Sequence, residues 1–232
     1  MSLAVSLSLS LKGGSSSAQK VRRGESEQGQ QQQAYHSEVQ TVQFTQMRYG
    51  TKQDYDLLHE LERDYVAALP NRVIAGLRAL DDGLSGYQVT RLEHSLQAAT
   101  RAERDGGDID WVVAALIHDI GDGFAPANHA QVAGAIIRPY VRAEVAWVVN
   151  MHGVFQMHYF GKHTGQDPDA REAYRDHQWF DSCERFCERW DEVSFDPKYD
   201  SLPLAHFEPA LREVFARKPF DPAITGESST GQ

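Results

Sequence analysis

From Asp54 onward, apolar residues recur at three- and four-residue steps. In "YDLLHELERDYVAAL" the stripe is Leu57, Leu58, Leu61, Tyr65 and Leu69, the spacing of one helix face. "RLEHSLQAATRAERDGG" places Leu92, Leu96 and Ala99 on one stripe, and its glycine pair predicts a stop. "DIDWVVAALIHDIG" is different. It is apolar nearly all round, with Asp108 as a candidate N-cap, which predicts a buried central helix. "ANHAQVAGAIIRPYV" and "RAEVAWVVNMHG" predict two more helices, the second ending at His152 just before Gly153. A loop rich in glycine, histidine and aromatics is expected next. Two further helices follow, in "DHQWFDSCERFCERWDEV" and "LAHFEPALREVFARK". No segment alternates with period two over a strand's length, and no internal repeat is visible, so the expected class is all-α.

Composition sets the boundaries. Residues 1–45 hold "SLSLSLKGGSSSAQK" and "GESEQGQQQQA", rich in Ser, Gly and Gln and poor in large apolar groups. Such a segment buries too little surface to offset its ordering entropy, so it is expected to be a disordered or targeting extension. A helical domain is expected over 46–220 and a C-terminal tail over 221–232. The net charge of -10 argues against nucleic-acid binding, which rests on Lys and Arg neutralising phosphates. No apolar run approaches the ~18–20 residues that a membrane span needs. The expected partner is a small-molecule substrate, and no partner protein is implied. Cys183 and Cys187, four apart in an expected helix, make no disulfide framework. They fit thiols of a reducing compartment, and a cytoplasmic location is expected. The lack of acids before Glu25, with Ser and Arg enriched, is also the composition of an organelle transit peptide.

The apolar helices carry polar groups where more core is expected. "AALIHDIGDGF" breaks from small and apolar residues into His118 and Asp119, side by side. His94 shares a side with Leu92, Leu96 and Ala99, and His129, His152 and Asp191 recur on the later helices. His36, His59, His177 and His206 lie in the extension or among charged residues and receive no role. Burying several titratable groups together is costly unless they pair or bind a metal. Imidazoles and carboxylates are ligands that iron, manganese or zinc accept. A carboxylate has two oxygens, so Asp119 could join two metals while His118 binds one.

These residues resemble the H…HD…D pattern of the HD-domain superfamily, here His94, His118–Asp119 and Asp191, over roughly Tyr87 to Phe215. The resemblance implies an HD-domain helical bundle. Most of that superfamily are phosphohydrolases. A smaller group, myo-inositol oxygenase and the HD-domain oxygenases of organophosphonate breakdown, hold a mixed-valent di-iron pair and act with O2. "LEHSLQAA", "NHAQVAGA", "NMHG" and "ERWDE" resemble the motifs of the phosphonate oxygenases. "HTGQD" and "WDEVSFDPKYDSLPLAHFEPAL" look like segments of myo-inositol oxygenase. Carried over, one iron would take His94, His118, Asp119 and Asp191. The other would take Asp119 as bridge, His129 and His152. The implied cofactors are two iron ions (Fe2+/Fe3+), with O2 as co-substrate. The implied activity is oxidation of a small polar hydroxylated or amine-bearing substrate. Hydrogen is removed from its carbinol carbon and oxygen is inserted, with a C–C or C–P bond broken in some cases.

The chain also departs from that pattern. The phosphonate oxygenases keep a glutamate, a histidine, a lysine and an arginine where this chain has Tyr87, Asp122, Gln156 and Glu188. A phosphonate beside Asp122 and Glu188 would be repelled by about 1–4 kcal/mol per contact, so the phosphonate substrate is not carried over. Tyr87 and Asp122 become candidate catalytic residues. Tyr87, Asp122, Gln156, His158, His163 and Glu188 become candidate substrate contacts, with Phe155, Tyr159 and Phe160 as candidate walls. Each has a plainer alternative. Asp122 would be a turn residue, Glu188 a solvated charge, the aromatics core, and His158 and His163 surface residues of the loop. The rival functional readings are an HD-type metal-dependent phosphohydrolase acting on a nucleotide or small phosphoester, and a scaffold without catalysis. Arg91, Arg138 and Lys162 are the cations left to serve the phosphohydrolase.

Overall fold

The structure is a computed structural model that describes residues 40–226. The expected extension up to residue 39 and the last six residues of the expected tail lie outside the described residues. The chain divides into two units, one up to Arg63 and one from Asp64. In the first, a 3-10 turn at Met47–Tyr49 precedes the start of helix α1, Lys52–Ala67, whose last four residues fall in the second. Asp54 accepts from the backbone N–H of Gln43 at 2.8 Å and of Thr51 at 2.9 Å. Phe44 stacks on Tyr55, with ring centroids 5.6 Å apart. The sequence boundary at residue 45 therefore falls inside a segment tied to the start of α1.

In the second unit every regular element among the described residues is helical. Helix α2 spans Leu69–Ala79 and buries Val73, Ile74 and Leu77. The apolar stripe expected to run through Leu69 is cut at Ala68, because Pro70 has no N–H to bond the Val66 carbonyl and suits a new helix's first turn. Helix α3, Arg91–Arg104, opens with a capping box. The Thr90 N–H donates to Glu93 Oε2 at 2.7 Å, and the Glu93 N–H donates to Thr90 Oγ1 at 3.1 Å. That reciprocal pair satisfies two orphan N–H groups and fixes where α3 begins. Its buried face is small and polar rather than leucine-rich: Ala98, Ala99 and Ala102 are fully buried beside His94, while Leu92 and Leu96 pack at the margin.

Helix α4, Ile109–Ile117, starts at Asp108, whose carboxylate accepts from the Trp111 N–H at 3.2 Å. All residues from Asp110 to Ile117 are buried, as the uniformly apolar run predicts. Asp110 is held by Arg217 at 2.6 Å and by Arg142 at 3.1 Å. Removing one partner of a buried ion pair costs about 3–5 kcal/mol. Here the arginines are partly exposed (19% and 38%), so solvent screening reduces the figure. Asp110→Ala is expected to destabilise the fold by about 2 kcal/mol, seen as a lower thermal midpoint with unchanged metal content.

Helix α5, His129–Ile137, crosses α6, Ala143–Thr164, at very short range. A Cβ on Gly134 would lie 2.9 Å from Asn150 Cβ and 3.1 Å from its Cα, so only glycine permits this approach. Helix α6 corrects the sequence reading. It runs through Gly153 to Thr164 and stops at Gly165, at φ 74°. A mid-helix glycine costs only about 1 kcal/mol, and Phe155, fully buried, repays that by continuing the core face. The expected loop is thus three turns of helix. Helix α7 is short, Phe180–Phe186, and runs into a π-helical turn, Cys187–Asp191. Helix α8, Leu204–Phe215, buries Phe207, Leu211, Val214 and Phe215. Within the expected tail, Pro222–Thr225 forms a helical turn, α9, capped by Asp221.

Candidate metal centre

Six side chains from five places meet in the core of the second unit. His94 comes from α3. His118 and Asp119 follow the last turn of α4. His129 opens α5, His152 lies within α6, and Asp191 ends the π turn. All but His129 are essentially sealed from solvent, and its side chain is 22% exposed. Local structure explains the meeting. After Asp119 a 3-10 turn, Ile120–Gly123, packs on the start of α5. A Cβ on Gly121 would lie 2.4 Å from the His129 carbonyl oxygen. The bare glycine lets His129 approach Asp119. The π turn adds a residue to the last helical turn, with the Glu192 N–H bonded to the Cys187 carbonyl. It turns Asp191 inward, a use of π geometry that recurs at functional sites.

The ring nitrogens fall into two groups around one carboxylate. In the first, His94 Nε2 lies 3.0 Å from His118 Nε2. Asp191 Oδ1 is 3.2 Å from the former and 3.5 Å from the latter. Asp119 Oδ2 completes this group at 3.6 and 3.8 Å. In the second, His129 Nε2, His152 Nε2 and Asp119 Oδ1 lie 3.3 Å from one another. Donors bound to a metal at ~2.1 Å, at angles of roughly 90–110°, are about 3.0–3.4 Å apart. Both groups have close to that spacing.

Each imidazole turns its other nitrogen to a backbone carbonyl. His118, His129 and His152 each use the carbonyl three residues back, of Ala115 (2.7 Å), Pro126 (3.1 Å) and Val149 (2.7 Å). His94 Nδ1 meets the Ser194 carbonyl at 2.9 Å. A carbonyl only accepts, so each Nδ1 carries the proton and each neutral ring presents the Nε2 lone pair inward. Two such lone pairs facing at 3.0 Å repel unless a cation lies between them. Asp191 Oδ1 is buried with no hydrogen-bond donor among the described residues. Burial works against charge on His94 and His118, yet Asp119 and Asp191 outweigh it and raise both pKa values above the usual histidine range. In turn the imidazoles hold both carboxyls well below the usual carboxylate range against their own burial. The cluster demands positive charge, and divalent metals fit its four nitrogens and two carboxylates.

The remaining sequence candidates divide. Gln156 is one helical turn after His152 on the same face, and its amide donates to Asp191 Oδ2 at 2.6 Å. Asp122 lies at the edge of the centre, 3.4 Å from Arg91 Nε. Tyr87 is half exposed and stacks on Phe195 at 5.3 Å. His158 and His163 are exposed on α6, not in a loop. At 100° per residue His158 points about 120° away from His152, and His163 is about 16 Å further along. Glu188 is exposed in a surface groove with Arg101, Arg104 and Arg189, because the same π turn that buries Asp191 leaves Glu188 outside. Phe195, stacked on the His94 ring at 4.4 Å, had no signal in the sequence beyond its aromatic type. Nor did the carbonyl acceptors.

A cavity of about 530 Å3 opens beside the second group. His129, Gly153 and Gln156 line it, together with Asn128, Met157, Phe160 and Asp167. No lysine or arginine is among its described lining residues.

The family model of the HD domain matches residues 91–196, a stretch that contains all six residues of the centre. No curated protein matches the chain. Among the described residues, no helix is long and apolar enough to cross a membrane.

Proposed function

We propose that this chain, through its HD domain, is a two-metal enzyme that uses a pair of irons and dioxygen to oxidise a small neutral or amine-bearing polar substrate. The observation that carries this reading is the cavity, which touches His129 and Gln156 and has no cation in its described lining. A phosphate or phosphonate binds through charge-assisted hydrogen bonds from basic groups, and no lysine or arginine is among the described residues that line this cavity. Its carboxamides, Asn128, Gln131, Gln156 and Gln166, both donate and accept, as a hydroxyl or amine requires. Asp167 is the one carboxylate among its described lining residues. The charge argument differs from the one the sequence alone gives. Glu188 is on the outer surface, and Asp122 is paired with Arg91. The support comes from a neutral cavity, not from two free acids.

His129, His152 and Asp119 Oδ1 would hold the metal that faces the cavity. His94, His118, Asp191 Oδ1 and Asp119 Oδ2 would hold the other. Bound iron would supply Lewis acidity toward a substrate hydroxyl and the electrons that activate dioxygen. The cavity-side group has three protein donors and the other has four, and fewer donors leave room for substrate. The backbone carbonyls fix the orientation and tautomer of all four imidazoles. Val154, Met157 and Phe160 supply apolar parts of the cavity wall.

A metal-dependent phosphohydrolase is the rival reading, and Arg91 is the cation at the centre that favours it. Its guanidinium is already engaged by Asp119 and Asp122. Protein from an iron-supplemented host is expected to carry a pair of irons per chain. Once reduced, it should consume oxygen with polyols or amino alcohols and not with hydroxy-phosphonates. Zinc or manganese content with turnover of phosphomonoesters would replace this reading with the hydrolase.

A further inference from the structure

We infer that Arg91 is a positioning residue that sets the bridging carboxylate so that Asp119 turns one oxygen toward each group of imidazoles. The inference rests on the two-metal reading and not on the oxygen chemistry. Arg91 is the first residue of α3 and three before His94, so the capping box at Thr90 and Glu93 that starts the helix also places its side chain. Its Nη1 meets Asp119 Oδ2 at 3.1 Å, with side chains 17% and 2% exposed. Its Nε is 3.4 Å from Asp122 Oδ2 and makes no hydrogen bond among the described residues. Asp122 is itself fixed, since its N–H donates to the Asp119 carbonyl at 2.9 Å across the 3-10 turn. The guanidinium lies over the Tyr87 ring at 5.0 Å, Tyr87 stacks on Phe195, and Phe195 stacks on His94. A cation above an aromatic face and between two carboxylates has little freedom to move.

The consequence lies in what Asp119 does without this restraint. The torsion that turns a carboxylate plane is soft, and among the described residues Arg91 is the hydrogen-bond donor to Oδ2. Once Asp119 turned, it would no longer direct one oxygen to each group of imidazoles. The first group keeps His94, His118 and Asp191 in any case. The second keeps only His129 and His152. Loss of the restraint therefore falls on the cavity-side metal.

The test is manganese binding to the full chain by calorimetry, with electron paramagnetic resonance at saturation. Wild type is expected to bind two manganese ions that are spin-coupled through Asp119. Arg91→Gln should weaken the second ion about 10- to 100-fold, the usual cost of losing a residue that orients a ligand. It should leave the first ion within a few-fold, and an uncoupled six-line signal should appear. Arg91→Lys keeps one donor but not the planar fork, so it should recover part of the affinity. A merely structural role would weaken both ions together with thermal stability, and the lysine variant would not separate them. Two equally tight, coupled ions in Arg91→Gln would overturn the inference alone. Fewer than two in the wild type would overturn the two-metal reading beneath it.

Discussion

Asp119→Ala is expected to strip metal from both positions and reduce turnover to background, with the helices intact. Asp119 is the one residue shared by both groups, through Oδ2 at 3.6 Å from His94 and Oδ1 at 3.3 Å from His129 and His152. Without it the second group has two imidazoles, too few to hold an exchangeable divalent ion. The first group keeps three donors but faces Arg91, whose carboxylate partner at 3.1 Å is gone. A guanidinium at 17% exposure, left with Asp122 alone, repels a divalent ion more strongly than one paired with two carboxylates. Loss of a residue that merely orients a ligand costs 10–100-fold in affinity, so the loss here is expected to be at least ~100-fold at each position. Metal content after dialysis, with circular dichroism as the control for folding, measures it. A variant that keeps two metals per chain and turns over substrate would remove the basis of the two-metal centre.

His94, His118, Asp119 and His152 stand out in the sequence because each interrupts an apolar stretch, whereas His129 and Asp191 enter through the resemblance to the HD-domain motifs. An imidazole or carboxylate inside an apolar helix needs a partner, and "LIHDIG" breaks that rule twice in succession. The capped start of α4 was equally visible in Asp108. What the sequence hid was of two kinds. Gly153 reads as a stop, because propensity favours one, yet the packing of Phe155 and later residues carries α6 on to Thr164. The π turn at Cys187–Asp191 leaves no local mark, so Asp191 and Glu188 could not be sorted into inside and outside. The second kind is non-local. Arg91 meets Asp119 across 28 residues, Gln156 meets Asp191 across 35, and His94 meets the Ser194 carbonyl across 100. Helix and strand periodicities carry no information at such separations. Arg91 reads in the sequence as a free cation, but its side chain meets Asp119 and Asp122.

Gln156 is expected to matter more than its neutral side chain implies, because it touches both the cavity and a donor of the proposed metal centre. Its amide donates at 2.6 Å to Asp191 Oδ2, which leaves Oδ1 for the metal. Gln156→Leu removes that donor and leaves a buried, ionised oxygen without it. A hydrogen bond to a charged group is worth about 1.5–3 kcal/mol, so kcat/KM should fall roughly 10- to 150-fold. The fall should be mostly in kcat, since the metal is displaced more than the substrate. Gln156→Glu separates this role from simple cavity lining. Two carboxyls at hydrogen-bond distance cannot both ionise, and the introduced group's pKa is pushed up by Asp191. Only its protonated form can donate to Oδ2 in place of the lost N–H. Activity of this variant should therefore rise as pH falls toward that raised pKa, and decline on the alkaline side where wild type does not. A leucine variant with wild-type kcat, or a glutamate variant whose pH profile overlays that of wild type, would show that Gln156 lines the cavity and does nothing for Asp191.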